Sequence, residues 1–118
     1  MTLSKILQIN AGLQQLANLK FDGKTSFAIL RANRAIAPLT EDYEKVRSQI
    51  VTAALPEGET AIDPAKHPEA FAKVKSEIET LLLRNEDIDL PKLSIEALTK
   101  SGEVPIGVLD ALYPIIEE

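Results

Sequence analysis

The sequence has 118 residues, of which 45% are hydrophobic and 26% charged, and its formal net charge is −5. This length and composition predict one domain that covers residues 1–118. There is no cysteine, which excludes disulfides, thiolate nucleophiles and thiolate metal sites. The apolar runs are too short to cross a membrane, and the first residues lack the apolar centre of a signal peptide. We therefore expect a soluble intracellular protein.

The charges are distributed unevenly along the chain. Residues 1–38 contain five basic residues and one acidic residue, a net charge of +4, whereas residues 39–118 contain eight basic and 17 acidic residues, a net charge of −9. Two explanations are open: the two parts neutralise each other within one fold or across an oligomer, or the basic residues form an anion-binding face.

The first predicted helix covers residues 3–19, where apolar residues recur at three- and four-residue steps. Thr2 or Ser4 would cap it. Gly12 lies in its middle, where glycine costs about 1 kcal/mol relative to alanine, and we expect a close approach by another helix to offset that cost. Residues 20–24 have the composition of a turn, so the first two helices should form an antiparallel pair.

The second predicted helix, residues 25–54, is the long element on which the others should pack. Thr25 is its expected N-cap. Pro38 removes a backbone hydrogen bond inside it, so we expect either a kinked continuous helix or two collinear helices that meet near residue 39. Apolar residues recur every seven positions in two series that keep one register: Ile29, Ile36, Tyr43 and Ile50, and Ala32, Leu39, Val46 and Ala53.

The rest of the chain predicts shorter elements. Residues 60–63 are a candidate strand, and Pro68 suits the first position of a third helix. Residues 86–90 alternate apolar and acidic side chains, which indicates a strand that pairs with 60–63 as a small hairpin or with a neighbouring subunit. Short helical pieces follow. The predicted fold class is mostly α: a single helical domain, an antiparallel bundle around one long kinked helix.

The sequence offers no motif of an enzyme. His67 is the only histidine, which excludes a histidine metal cluster, and no serine or cysteine nucleophile motif accompanies it. The five glycines stand far apart, so there is no phosphate-binding loop. Residues 85–96 match a calcium-loop spacing in part, but Leu90 occupies the position that requires glycine. We predict a non-catalytic protein without metal or cofactor.

One cluster is a candidate site for an anion or a partner: Lys20, Lys24, Thr25, Arg31 and Arg34. Thr25 would open the long helix with free N–H groups beside Lys24, and Arg31 and Arg34 share a helix face. The cluster would bind an anionic small molecule or an acidic segment of a partner. Alternatively, the arginines pair with the acidic half of the fold. Scarce aromatic residues and the acidic balance argue against nucleic acid.

A second candidate is a partner interface formed by Tyr113, Ile115 and Ile116 near the end of the sequence. The two isoleucines either pack on the core, which we favour, or face a partner. Both arrangements would remove apolar surface from water.

Four stretches of the sequence carry a resemblance to a known family. They are residues 10–16, residues 24–33 with their Lys-Thr-Ser-Phe start, residues 86–92 and residues 108–116. In these stretches the chain resembles a family of small tailed-phage proteins of unknown function. That family has a leucine-rich first helix, a "Lys-Thr-Ser-aromatic" helix start, a long charged helix, an acidic strand and a short closing helix. The chain departs from the pattern at Gly23, where proline or alanine is expected, and in its short middle loop.

The resemblance implies a phage or prophage origin without an assigned activity. We therefore expect a small structural or interaction protein that self-assembles or docks on a larger phage or host protein through helical surfaces. The alternative is a small-ligand binder that sequesters an anionic metabolite or signalling nucleotide at the basic helix start. Either protein would act in the cytoplasm of a bacterial host or in the virion.

Overall fold

The computed structural model describes residues 1–100 and 103–117, and it is mostly helical, at 67%. The predicted fold class is confirmed at this level. None of the helices in the described part of the chain is both long and apolar enough to cross a membrane. The elements in chain order are α1 (Leu3–Leu16), α2 (Gly23–Ala54), α3 (Pro68–Leu82), β1 (Leu93–Ser94), α4 (Ile95–Lys100), α5 (Ile106–Leu112), a 3₁₀ turn (Tyr113–Ile115) and β2 (Ile116–Glu117).

Helix α1 forms the centre of the core. Thr2 is its N-cap, as one of the two predicted alternatives, and its hydroxyl accepts a hydrogen bond from the backbone N–H of Lys5 at 3.2 Å. The apolar stripe predicted from the sequence is buried against α2, α3 and α5. Burying such a stripe is the main source of a helix's stability in a protein. Its buried members are Leu3, Ile6, Ile9, Gly12, Leu13 and Leu16.

Gly12 lies where α5 approaches α1 most closely. A Cβ atom added at Gly12 would lie 2.9 Å from Cγ of Leu112 and 3.2 Å from Cβ of Ala111. Leu112 is fully buried, so its side chain has no free space into which it can move. The expected close approach of another helix is therefore confirmed, and it explains a glycine in the middle of a helix.

Helix α2 sets the long dimension of the molecule. Its 32 residues correspond to about 48 Å, and the molecule measures 53 Å by 27 Å by 19 Å. The helix begins at Gly23 with Asp22 as its N-cap, so the prediction of Thr25 as the cap was wrong. Pro38 lies inside this single helix, which contradicts the alternative of two helices that meet near residue 39.

The seven-residue pattern of α2 is covered only along its first half. Ile29, Ala32 and Ile36 are buried in the core, whereas Val46 is 38% exposed and Ala53 is exposed. The reason is one of length, because α1 has 14 residues, or about 21 Å, and cannot extend along the whole of α2. Beyond the reach of α1, α3 is the helix that packs on α2.

The predicted strand positions were wrong. Residues 60–63 and 86–90 form no strand, and the two short strands are instead β1 and β2, which pair in parallel with Leu93 opposite Ile116. The alternation at 86–90 has another cause: Ile88 and Leu90 pack on the core while the acidic side chains between them are exposed. The start of this segment does form a backbone hydrogen bond with the N-terminal residue: the N–H of Glu86 donates to the carbonyl of Met1 at 2.8 Å.

The contact at Gly12 predicts the effect of Gly12→Ala. Overpacking against Leu112 costs about 1–3 kcal/mol, which opposes a gain in helix propensity of about 1 kcal/mol. We expect a free energy of unfolding that is lower by up to about 2 kcal/mol in urea denaturation. Gly107→Ala is the matched control, because Gly107 is helical with open space around it, and that variant should not be destabilised. A Gly12→Ala protein more stable than wild type would contradict the described contact.

Pro38 predicts a stabilising substitution. Proline has no N–H to donate to the carbonyl of Arg34, and Pro38 is exposed, so no packing compensates for the loss. Pro38→Ala should therefore raise the free energy of unfolding by up to about 3 kcal/mol. Urea denaturation measures the change. Ala37→Gly is the control for helix propensity at a neighbouring exposed position, and it should lower the free energy of unfolding. Equal stability of Pro38→Ala and wild type would mean that α2 accommodates the proline without cost.

Candidate functional site

Two of the backbone donors at the start of α2 are already used within the chain. The N–H of Thr25 donates to Oδ1 of Asp22 at 3.0 Å, and the N–H of Ser26 donates to the Asp22 carbonyl at 2.9 Å. Hydrogen bonds from the Thr25 side chain and then from its backbone N–H lower the pKa of Asp22. The chain's own carboxylate thus occupies the place at the positive end of the helix where an external anion was expected.

Lys24 and Thr25 line one side of a pocket of about 350 Å³ beside α4 and the two strands. The Thr25 side chain is only 7% exposed. The pocket is electrostatically balanced rather than basic, and a balanced pocket does not select anions strongly. Its charged lining consists of Lys24, Lys92 and Lys100 together with Asp22, Glu96 and Glu117.

The structure separates the two arginines of the predicted basic cluster from this pocket. Lys20 lines an adjoining pocket of about 310 Å³, which shares Asp22, Ala97 and Lys100 with the first one. Arg31 and Arg34 are exposed farther along α2, about 10 Å and 15 Å beyond Lys24 along the helix axis. The predicted cluster is therefore divided. Lys24 and Thr25 lie together, whereas Arg31 and Arg34 do not belong to the same site.

The arginines belong to a different surface, which we call the basic face of α2: Lys24, Phe27, Leu30, Arg31 and Arg34. All five side chains are exposed, Phe27 by 60%. The α2 sequence has no acidic residue before Glu41. The ion pair found within the described residues joins Arg84 Nε to Glu86 Oε1 at 3.0 Å, so Arg31 and Arg34 form no ion pair with an acidic residue of residues 1–100 and 103–117.

Phe27 and Leu30 were missed in the sequence analysis. They lie outside the seven-residue register of α2, and a large apolar residue outside the register of a helix is the signal that could have identified them. Single exposed apolar residues are common in proteins. Two of them beside unpaired arginines form a surface with the composition of a protein interface.

A second surface lies where α3 packs on the distal half of α2, and we call it the α2/α3 groove. It consists of two pockets, of about 270 Å³ and 590 Å³, that share Val46, Leu81 and Arg84. The remaining apolar lining is Leu3, Leu39, Tyr43 and Ile50, and the acidic lining is Asp42, Glu77 and Glu86. The groove thus has an apolar floor and a mainly acidic rim.

The predicted C-terminal interface is divided by the structure. Ile115 is 2% exposed and packs in the core, which is the alternative that we favoured, while Ile116 is half-buried in β2. Tyr113 is exposed, one heptad after Ile106, which is 87% exposed. Tyr113 is therefore the exposed member of the predicted interface, and Ile106 is a separate exposed apolar residue at this end of the molecule.

Metal-ligating side chains do not converge in the described residues. No group of three or more His, Asp or Glu side chains with the geometry to hold a metal ion occurs within residues 1–100 and 103–117. His67 occupies the N-cap position of α3, where its side chain makes no capping hydrogen bond. The surfaces that the structure does offer are the basic face and the α2/α3 groove.

Comparison of the sequence with protein-family models, with curated proteins and with solved structures finds no match. A function for this chain must therefore be inferred from the surfaces of the molecule and from the residues that form them.

The cap at Asp22 predicts a pH-dependent contribution to stability. Because the pKa is lowered in the folded state, the contribution of the charged carboxylate is present above the ordinary value of 3.8 and is lost as the pH falls below it. Asp22→Asn keeps a capping acceptor without this titration. Wild type should be more stable than Asp22→Asn near neutral pH, and the difference should vanish in acid. Thermal unfolding at a series of pH values measures it, and a difference independent of pH would rule out the charge effect.

Proposed function

We propose that this chain is a non-catalytic interaction protein of phage type, which docks on a larger protein or on copies of itself through helical surfaces. In this proposal the chain acts as a single helical unit, an antiparallel bundle with α2, kinked at Pro38, as its spine. The phage origin comes from the resemblance of the sequence to small tailed-phage proteins. The protein would act in the cytoplasm of a bacterial host or in the virion.

The observation that carries the proposal is the basic face of α2. Phe27 and Leu30 are exposed between basic residues that have no ion pair in the described part of the chain. Aromatic residues and arginine are enriched at protein interfaces, and they contribute a large share of the binding energy there. The charges of the exposed arginines are available to a partner, because no carboxylate of the described residues forms an ion pair with them.

The alternative of an anionic small-molecule binder has less support. Its expected site at the start of α2 is capped by the carboxylate of Asp22. The adjoining pocket has as many carboxylates as lysines, and the two arginines that would have completed the site lie elsewhere on α2.

The proposal predicts that Phe27→Ser/Leu30→Ser weakens association with a partner or with a second copy. Both residues are exposed, so the fold should be retained, while the loss of apolar contacts should reduce affinity at least about tenfold. Light scattering after size exclusion measures self-association. Capture from bacterial and phage lysates on the immobilised chain, quantified by mass spectrometry, measures other partners.

Ile106→Ser is the matched control, because Ile106 is a highly exposed apolar residue on α5 rather than on the basic face. A protein whose capture or self-association depends on Phe27 and Leu30 but not on Ile106 supports the proposal. The proposal would be refuted by a wild-type chain that is strictly monomeric and whose capture of other proteins is unchanged in both Phe27→Ser/Leu30→Ser and Ile106→Ser.

A further inference from the structure

We propose that the chain self-associates head to tail, with the basic face of one copy docked in the α2/α3 groove of the next copy. This inference rests on the proposed function and names a second copy of the chain as the occupant of the groove. It follows from the complementarity of the two surfaces and from their separation along one helix.

The apolar parts of the two surfaces fit each other. Phe27 is 60% exposed, so most of its aromatic side chain is not covered within its own chain. The narrower pocket of the groove, about 270 Å³, has Leu39, Tyr43 and Val46 in its lining. An aromatic ring in an apolar pocket is the usual anchor of a protein interface.

The charges of the two surfaces are opposite. Lys24, Arg31 and Arg34 surround Phe27 and Leu30 without any acidic residue in this part of α2. The groove has Asp42 and Glu77 in its lining, and its single basic residue, Arg84, is already paired with Glu86. Opposite potentials of this kind orient two partners and select against wrong ones.

The two surfaces cannot meet within one molecule. Nineteen residues of one helix separate Phe27 from Val46, which places them about 28 Å apart along the axis of α2. Each copy therefore has one basic face and one groove, and in the head-to-tail arrangement that we propose each contact leaves one of each unoccupied. Such a heterologous contact repeats until it closes into a ring or extends as a filament.

A protein partner fits the basic face better than a nucleic acid does. Phe27 and Leu30 interrupt the basic residues with apolar surface, which phosphates do not contact favourably. The net charge of the chain is −5, which opposes association with a polyanion. Nucleic-acid binding is accordingly one of the outcomes that the experiment distinguishes.

The test uses two variants that each remove one surface. Phe27→Asp removes the apolar anchor of the basic face, and Val46→Asp places a charge in the groove. Sedimentation equilibrium of the full chain over a wide range of concentration should show wild-type oligomers that dissociate as the salt concentration rises. Each variant alone should self-associate at least about tenfold more weakly. Circular dichroism verifies the fold of each variant, and Asp42→Lys, at an exposed position, is a second groove variant.

The decisive measurement is a mixture of the two variants. Val46→Asp keeps an intact basic face and Phe27→Asp keeps an intact groove, so the mixture should form a one-to-one dimer that cannot extend. Ile106→Asp is the control, and it should self-associate like wild type. The head-to-tail arrangement is overturned if the mixture fails to form this dimer. It is also overturned if Ile106→Asp loses self-association.

Two other results overturn the inference and leave the proposed function standing, and a third overturns both. Wild-type oligomers unaffected by Phe27→Asp and Val46→Asp would mean that a different helical surface is the interface. A strictly monomeric chain that captures another protein through Phe27 would mean that the basic face serves a different partner. A monomeric chain that instead binds labelled duplex DNA through Arg31 and Arg34 would overturn both proposals.

Discussion

The contact between α1 and α5 at Gly12 is the constraint on which the core depends. The absence of a side chain at Gly12 allows the backbone of α1 to approach the fully buried Leu112. This approach brings α5, and with it the following 3₁₀ turn and β2, against the centre of the molecule. Ile115 is buried and β2 pairs with β1 as part of the same arrangement. Interiors are packed closely enough that one added methyl group would be felt here.

The unequal lengths of the helices explain the surfaces of the molecule. α2 has 32 residues and α1 has 14, so the core that α1 organises covers one end of α2 and leaves the other end to α3. At that end, α3 covers the apolar stripe of α2, and a single neighbouring helix covers such a stripe from one side only. The α2/α3 groove is the uncovered remainder of the seven-residue pattern. The thickness of 19 Å corresponds to about two layers of helix.

Local patterns in the sequence predicted the helices well and their partners poorly. The stripe of α1 and the first residue of α3 were predicted correctly, because each depends on residues close together in the chain. The turn was predicted at residues 20–24, whereas α1 ends at Leu16 and α2 begins at Gly23, so the connection covers residues 17–22. Thr25 and Asp22 are both good capping residues, and their types alone do not reveal that the helix begins at Gly23 with Asp22 as its cap. The pairing of Leu93 with Ile116 joins segments 23 residues apart and leaves no periodic signal in either. Likewise, a heptad pattern indicates an apolar stripe but does not reveal how much of it a neighbouring helix covers.

The position of α5 in the chain has a consequence for folding. One hundred residues separate Gly12 from Leu112, and closing so long a loop is slow compared with forming local helix contacts. Helix α1 can pair with α2 early, but its other side stays accessible to solvent until α5 has been synthesised. During translation, the helix that contributes the most buried apolar side chains to the core therefore has a period in which chaperones or other nascent chains can bind it.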